Sequence, residues 1–175
     1  MSNKALFLDR DGVINIDHGY VYKIKDFDFV SGIFVLSRKA IQKGYKIFVI
    51  TNQAGIARGY YSENDFEIIT QWMIGQFKKK SINILDVYHC PHLPDSNCNC
   101  RKPQPGMLIE AQKKHNIDMK KSWLIGDKES DISAAINSGI TNTILVKSGH
   151  KIDVHNSHAK YIIDSVHQSN QIIVN

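Results

Sequence analysis

Two acidic side chains stand two positions apart where an apolar run ends near the N-terminus: Phe7 and Leu8 lead into Asp9, Arg10 and Asp11. In an extended chain, residues two apart project to the same side. One carboxylate could then attack a phosphorus centre while the other handles the proton, with a divalent cation screening the charge between them. An isolated Asp-x-Asp-Gly is more often a polar turn that closes a strand, so this chemistry needs support from elsewhere in the chain.

Three later segments supply that support by placing polar groups after apolar runs or before a helix. They contain Thr51 after Phe48–Ile50, Lys102 in Arg101-Lys102-Pro103, and Asp127 after Trp123–Gly126. Taken alone, each has an ordinary explanation, because Thr-Asn starts turns, Arg-Lys-Pro is usually a solvated turn and Gly-Asp is a common bend. Together with the aspartate pair, they indicate a phosphate site that combines hydroxyl, cationic and carboxylate groups.

The elements that position these residues alternate between strand-like and helix-like patterns. The predicted strands are Ala5–Asp9, Tyr45–Thr51, Leu85–His89, Ser122–Gly126 and Thr143–Val146, and the predicted helices are Ile33–Lys43, Ser62–Lys80, Gly106–His115 and Glu129–Ser138. After residue 148 we expect a closing strand at Tyr161–Ile163 and a short terminal helix. This alternation predicts an α/β fold, a Rossmann-like parallel sheet with helices on both faces. Ligands bind such sheets at the carboxyl ends of the strands, where Asp9, Thr51 and Asp127 fall.

All three cysteines lie in one short segment, residues 90–100, which also holds a histidine. Cys90, His92, Cys98 and Cys100 make a tetrahedral zinc set of three thiolates and one imidazole. A disulfide is the alternative, but it would leave one cysteine over, and a chain without a secretion signal meets a reducing cytosol. Because no ligand position is open, the predicted zinc is structural, and it should stiffen the loop just before Arg101 and Lys102.

Composition is consistent with one compact domain that binds an anion. The 175 residues contain 22 Lys and Arg against 17 Asp and Glu, a mildly basic balance that suits an anionic substrate. A zinc-stabilised nucleic-acid-binding domain is the alternative from another class, but interleaved aromatic and basic residues are missing, so no nucleic-acid partner is expected. No apolar run of about eighteen residues and no signal-peptide pattern occurs, which predicts a cytoplasmic protein without a membrane partner. We expect a monomer, since no long apolar surface stripe stands out.

In chain order, the aspartate pair, the strand-end threonine, the lysine and the strand-end aspartate resemble the four motifs of the haloacid dehalogenase (HAD)-type phosphohydrolases. The resemblance implies that Asp9 is the nucleophile that forms an aspartyl-phosphate, and that Asp11 protonates the leaving oxygen and then activates water. It implies that Thr51 and Lys102 hold the phosphoryl oxygens. It also implies that magnesium is bound by Asp9, by Asp127 and by the backbone carbonyl of Asp11. Such a hard cation prefers oxygen ligands, and phosphoryl transfer needs positive charge around the phosphate.

The chain between Asp11 and Thr51, and again between Thr51 and Lys102, has room for core elements but not for a separate cap domain. We therefore expect a single HAD-like domain over residues 1–175 with an open site whose specificity is set by loops. Two kinds of capless phosphatase in this superfamily carry a Cys-x-His…Cys-x-Cys loop. They are the D-glycero-D-manno-heptose 1,7-bisphosphate 7-phosphatases and the histidinol-phosphate phosphatases.

Several segments resemble the heptose enzymes, namely Ile14–Val21, Thr51–Gly59, Arg101–Met107 and Gly126–Lys128. The resemblance implies substrate contacts for Asp17, His18, Gly19, Tyr20, Thr51, Asn52, Gln53, Ala54, Arg101, Lys102 and Lys128. The implied reaction is magnesium-dependent hydrolysis of the 7-phosphate of a heptose bisphosphate, on the way to nucleotide-activated heptose for bacterial surface polysaccharide. The five-residue spacer between His92 and Cys98 departs from this pattern and resembles the histidinol-phosphate enzymes. Histidinol phosphate is therefore the alternative substrate.

Overall fold

Six parallel strands form one sheet in the computed structural model, which describes residues 2–148 and 152–173. The strands are β1 (Lys4–Leu8), β2 (Tyr45–Asn52), β3 (Ile84–Cys90), β4 (Trp123–Gly126), β5 (Asn142–Val146) and β6 (Tyr161–Ile163). Their order across the sheet is β3-β2-β1-β4-β5-β6. Strand β1 is central, because Leu8 is in register with Val49 of β2 on one side and with Ile125 of β4 on the other.

Five helices connect or follow these strands in the described residues: α1 (Ile33–Gln42), α2 (Glu63–Lys79), α3 (Gly106–His115), α4 (Glu129–Asn137) and α5 (Ser169–Ile172). Helix α2 shows how local sequence sets a boundary. The Ser62 hydroxyl accepts a hydrogen bond from the Asp65 backbone N–H, and the Asp65 carboxylate accepts one from the Ser62 N–H. This reciprocal capping box satisfies backbone donors that the first helical turn leaves without partners.

The sheet is buried on both faces because successive strand residues point to opposite sides. On one face Leu8 and Val49 pack with residues of α1 and α2, among them Leu36 and Phe77. On the other face the same strands contribute buried side chains that pack with residues of α3 and α4, namely Phe7, Phe48, Ile50, Leu108 and Ala134. These two close-packed apolar layers restrict the movement of β1, β2 and β4. They therefore also fix the positions of the polar residues that follow these strands.

The fold class and the order of elements predicted from the sequence are confirmed. Helix α3 and strand β6 begin and end at the predicted residues, and the other elements with predicted bounds differ by one residue at one end or, for β1, α2 and β3, at both ends. Three single-turn 3₁₀ helices were not predicted: Ile24–Asp26, Met119–Lys121 and Val166–Gln168. One turn is too short to show a helical period in the sequence. No described helix combines the length and apolar character needed to cross a bilayer.

Chain direction places the polar strand ends together. Strands β2 and β3 follow β1 in the chain and lie on one side of it within the sheet. The later strands β4 and β5 lie on the other side of β1. A crevice forms at the carboxyl edge where the strand order reverses, because the connections on the two sides of β1 diverge there. Asp9, Thr51 and Asp127 all lie at this edge.

Candidate active site

A cavity of about 620 Å³ opens at the carboxyl edge of the central strands. Asp9 and Asp11, which follow β1, line it together with Thr51 of β2. Its charged lining residues are Asp9, Asp11, Asp17, Arg58, Arg101, Lys102, Lys128 and Asp131. A concave site in which cations and carboxylates converge suits a phosphorylated substrate better than an apolar ligand.

Lys102 lies at the centre of this charge cluster and is 5% exposed. Its Nζ donates to Asp9 Oδ1 at 2.8 Å and to the Ile50 carbonyl at 2.7 Å, and it lies 2.6 Å from Asp131 Oδ1. Burial alone would lower the pKa of this ammonium, but the two carboxylates outweigh burial and raise it. Lys102 is therefore a fixed cation beside the predicted nucleophile.

Three buried carboxylates, those of Asp9, Asp127 and Asp131, have oxygen atoms within 4.8 Å of one another. Asp131 already has its own partners. Its Oδ2 accepts from the backbone N–H groups of Asp127 and Lys128 at 3.2 and 3.1 Å, which caps helix α4, while its Oδ1 pairs with Lys102. Asp9 and Asp127 are consequently the better placed of the three to hold a cation. Asp131 instead contacts Lys102 and the start of helix α4.

The electrostatics of this pair favour a bound cation. Burial raises the pKa of Asp9 to about 6 even though Lys102 opposes the shift. Burial, and next the charges of Asp9 and Asp131, raise the pKa of Asp127 to about 9. Buried carboxylates that disfavour their own ionisation in this way are the oxygen ligands that a hard divalent cation stabilises. Gly12 lets the Asp9–Asp11 turn approach this point, since a Cβ there would overlap the Asp127 carboxylate.

Asp11 is held by a different set of groups from those around Asp9. Arg10 contacts it with two nitrogen atoms, Nε to Oδ2 at 3.1 Å and Nη2 to Oδ1 at 2.9 Å, and the Asn15 and Gln53 amides each donate to it at 3.0 Å. Burial would raise the pKa of Asp11, but the Arg10 charge and these hydrogen bonds lower it below its usual value. The two carboxylates of the motif thus have opposite pKa shifts in the unliganded site, because burial dominates at Asp9 and the Arg10 charge and hydrogen bonds dominate at Asp11.

The four predicted zinc ligands converge at the end of β3. The Cys90 Sγ lies 3.0 Å from Cys100 Sγ and 3.6 Å from Cys98 Sγ, and His92 Nδ1 lies 3.2 Å from Cys100 Sγ and 3.5 Å from Cys90 Sγ. A tetrahedral zinc with Zn–S bonds of about 2.3 Å separates its ligand atoms by roughly 3.5–3.8 Å. The donor set therefore fits zinc, and two of the four separations match this spacing, while the two that involve Cys100 are shorter, at 3.0 and 3.2 Å. His89 lies apart from this cluster, with its Nε2 2.9 Å from Glu63 Oε2.

Known proteins with similar sequences share most of the length of this chain. It is 52% identical over 151 residues to a D-glycero-alpha-D-manno-heptose-1,7-bisphosphate 7-phosphatase of Campylobacter jejuni, with 86% of this chain and 87% of the relative covered. It is 50% identical over 146 residues to a D-glycero-beta-D-manno-heptose-1,7-bisphosphate 7-phosphatase of Helicobacter pylori, with 83% and 84% covered. The chain belongs to the heptose bisphosphate phosphatase family. It is a HAD-type phosphoric monoester hydrolase.

Solved structures of phosphatases have the same fold. A D,D-heptose 1,7-bisphosphate phosphatase from B. bronchiseptica, complexed with magnesium and phosphate, aligns with a TM-score of 0.86 at 24% identity over 98% of both chains. A putative HAD-like phosphatase from Mesorhizobium loti aligns with a TM-score of 0.84 at 27% identity, covering 99% of this chain and 86% of its own. A HAD-hydrolase-like family model matches residues 99–169, from the end of the cysteine and histidine loop to beyond the last strand.

The cavity brings together most of the residues that the sequence predicts for the heptose phosphatase site. Its lining includes Asp9, Asp11, Asp17, Gly19, Tyr20, Thr51, Asn52, Gln53, Ala54, Arg101, Lys102 and Lys128. His18 is not among the lining residues, and its Nε2 instead lies 2.9 Å from Asp28 Oδ2. Asp127 is also not among the lining residues and is fully buried. The roles assigned to these residues stay predictions.

Sequence reasoning did not predict several residues of the site. Arg58, Tyr61, Pro94, Ser96, Asn97 and Ser130 line the cavity, and Arg10 and Asn15 hold Asp11 from below. Arg10 lies inside the Asp-Arg-Asp motif, and its buried position could have been inferred from the need to neutralise two adjacent carboxylates. Most of the other residues lie in turns and loops, where the sequence carries no signal of which way a side chain points, and Ser130 lies in the first turn of α4.

Proposed function

We propose that this chain is a magnesium-dependent phosphatase that removes the 7-phosphate of D-glycero-D-manno-heptose 1,7-bisphosphate, as its relatives are named to do. The observation that carries the proposal is the cavity itself, in which Asp17, Gly19 and Tyr20 face Lys102 and Lys128. Carboxylate, backbone and phenol groups suit the hydroxyls of a sugar, and the cations suit its phosphates. The proposal includes a cytoplasmic monomer that supplies a precursor of nucleotide-activated heptose for bacterial surface polysaccharide.

In the first half of the proposed reaction, an oxygen of the Asp9 carboxylate attacks phosphorus. The bond between phosphorus and the sugar O7 breaks, an aspartyl-phosphate forms, and the proton held by Asp11 goes to the departing oxygen. Lys102 Nζ, 2.8 Å from Asp9 Oδ1, is placed to neutralise phosphoryl oxygens together with the Thr51 hydroxyl. Asp11 is ionised in the unliganded site, and the negative charge of an arriving phosphate favours its protonated form.

In the second half, Asp11 takes a proton from water, which attacks the aspartyl-phosphate and releases inorganic phosphate. The contacts from Arg10, Asn15 and Gln53 stabilise the carboxylate form that this step needs. A bound magnesium, held by Asp9, Asp127 and the Asp11 backbone carbonyl, would supply Lewis-acid stabilisation of the phosphoryl charge. The proposed ion would also offset the burial and the repulsion from Asp9 and Asp131 that together raise the pKa of Asp127.

Zinc in the Cys90, His92, Cys98 and Cys100 site is proposed to have a structural role. The loop that it would close lies against the cavity, because Pro94, Ser96 and Asn97 line the wall. Arg101 connects the loop to the substrate side, since its Nη1 donates to the His92 carbonyl at 3.1 Å. A fixed loop leaves less ordering entropy to lose when the substrate binds.

Removal of zinc is expected to raise KM by several-fold with a smaller change in kcat, because the loop shapes the cavity wall without touching the reacting atoms. The protein is treated with a chelator, dialysed, supplied with magnesium and assayed for phosphate release. The control is the same sample after one equivalent of zinc is returned. Metal analysis that finds no zinc in protein purified without chelator would refute the zinc assignment.

The test of function is phosphate release with magnesium from the two anomers of D-glycero-D-manno-heptose 1,7-bisphosphate, alongside histidinol phosphate and fructose bisphosphate. We expect kcat/KM to be highest for one heptose anomer. Relatives named for either anomer are close to 50% identical to this chain, so the preferred anomer is itself an outcome of the assay. A preference for histidinol phosphate would overturn the proposal and would make the short zinc loop the specificity element.

A further inference from the structure

The cavity contains four acidic and four basic lining side chains, and most of these charges are already paired. Lys102 neutralises Asp9 and Asp131, with Nζ to oxygen distances of 2.8 and 2.6 Å. Asp17 has Lys128 at 3.7 Å. Asp11 is paired with Arg10 from beneath the cavity at 2.9 Å. Each acidic lining residue therefore already has a cationic partner, which Asp9 and Asp131 share, and the remaining cations are available to an anionic ligand.

The two remaining lining cations, Arg58 and Arg101, differ in what they contact. The Arg101 guanidinium donates to the His92 carbonyl at 3.1 Å, which ties it to the zinc loop. The Arg58 guanidinium has no ion-pair or hydrogen-bond partner within residues 2–148 and 152–173, although it lines the same cavity. A guanidinium is a planar fork of donors that matches the oxygens of a phosphate.

The backbone that carries Arg58 is fixed, so its side chain starts from a defined place. The Arg58 N–H donates to the Ala54 carbonyl at 3.0 Å, and the next turn closes through Tyr60 N–H to Gly55 O at 2.9 Å. The Ala57 N–H reaches the Pro91 carbonyl at 3.3 Å and attaches the turn to the start of the zinc loop. Gly59 takes a φ of +72°, in the left-handed region that favours glycine.

We propose that Arg58 binds the phosphate that is not cleaved and so selects bisphosphate over monophosphate substrates. This inference rests on the proposed function and deepens it. A heptose 1,7-bisphosphate has one phosphate at the Asp9–Lys102 site and must place the other towards the mouth of the cavity. Arg58 is the lining cation whose head is not committed to a protein group in the described structure. Arg58 is thus a specificity residue and takes no part in the bond-breaking step.

The test compares Arg58→Ala with the wild-type protein on heptose 1,7-bisphosphate and on heptose 7-phosphate, which has the same scissile ester without the second phosphate. We expect kcat/KM for the bisphosphate to fall roughly 10- to 100-fold, as for loss of one charge-assisted hydrogen-bonded pair. The value for the monophosphate should change less than about threefold. Arg58→Lys keeps the positive charge but lacks the planar guanidinium, so its kcat/KM for the bisphosphate should lie between those of Arg58→Ala and the wild-type protein.

A second readout is inhibition by heptose 1-phosphate, the reaction product that keeps the second phosphate. Its inhibition constant should rise in Arg58→Ala by the same factor as the loss in kcat/KM for the bisphosphate. Arg38→Ala is the matched control, since Arg38 is exposed on α1 and does not line the cavity. Arg38→Ala should leave both substrates and the inhibition constant unchanged.

The outcomes separate this inference from the proposed function. If the wild-type protein hydrolyses heptose bisphosphate but Arg58→Ala loses equally on both substrates, the function stands and the role of Arg58 is wrong. If the bisphosphate-selective loss appears in Arg101→Ala instead, the second phosphate lies at Arg101 and the inference is likewise overturned. If the wild-type protein does not hydrolyse heptose bisphosphate, the proposed function fails and the inference fails with it.

Discussion

Lys102→Met is expected to lower kcat/KM by at least ~10³-fold, because it removes the fixed cation beside the attacking carboxylate and the transferring phosphoryl group. Methionine is close to lysine in length and leaves the apolar part of the site filled. The lost interactions are those of Nζ with Asp9, Asp131 and the Ile50 carbonyl. Phosphate release from heptose bisphosphate measures the effect.

The same substitution should destabilise the fold, because it leaves two buried carboxylates without their counter-charge. Removing one partner of a buried ion pair typically costs about 3–5 kcal/mol. Burial already raises the pKa of Asp9 to about 6, so its charged form is the costly one. A carboxyl with a raised folded pKa stabilises the fold below its unfolded pKa, and that contribution is lost as pH rises through the folded value. The penalty in Lys102→Met should therefore be larger at pH 8 than at pH 5.

Urea unfolding at the two pH values tests this penalty, in magnesium-free buffer without a chelator so that a metal bound by the cysteine and histidine cluster is not stripped from the folded protein before the measurement. The control is Lys121→Met, since Lys121 is exposed and forms a 3.4 Å ion pair with Asp118. An exposed pair of this kind contributes at most about 1 kcal/mol. Turnover by Lys102→Met within tenfold of the wild-type rate would contradict the assigned role, and equal stability at both pH values would contradict the electrostatic account.

The element pattern was predictable because it rests on local signals. Gly106–His115 shows a helical period after a proline, and the apolar run of β2 ends in polar residues. A parallel sheet buried on both faces produces continuous apolar runs rather than alternation, which is what β1 and β4 show. The same signals placed Asp9, Thr51 and Asp127 at the carboxyl edge without any knowledge of the contacts between them.

The contacts within the site were less predictable because they depend on tertiary packing. Lys102 reaches Asp9 across 93 positions in the chain and also bonds to the end of a neighbouring strand. Arg58 looks in the sequence like any turn residue, and only the path of the backbone brings it to the cavity. His18 shows a related limit, since its neighbours line the cavity while its own ring contacts Asp28, which the sequence did not indicate.

Asp11→Asn is expected to lower kcat/KM for heptose bisphosphate by at least ~10²-fold, the lower end for losing a general acid–base group. Asparagine keeps the shape of the side chain but cannot give a proton to the departing sugar oxygen. With p-nitrophenyl phosphate the loss in kcat/KM should be much smaller, because nitrophenolate leaves without protonation. This dependence on the leaving group distinguishes a lost acid from a general disturbance of the site.

The fold of Asp11→Asn needs its own control, because Arg10 is 1% exposed and the substitution removes its counter-charge. The double variant Arg10→Met/Asp11→Asn removes the buried charge together with its partner, which avoids an uncompensated ion in the core. It should show the same leaving-group dependence as Asp11→Asn, whatever its stability to urea. Equal losses on the sugar phosphate and on p-nitrophenyl phosphate, in both variants, would mean that Asp11 positions substrate or metal and that the proton comes from another group.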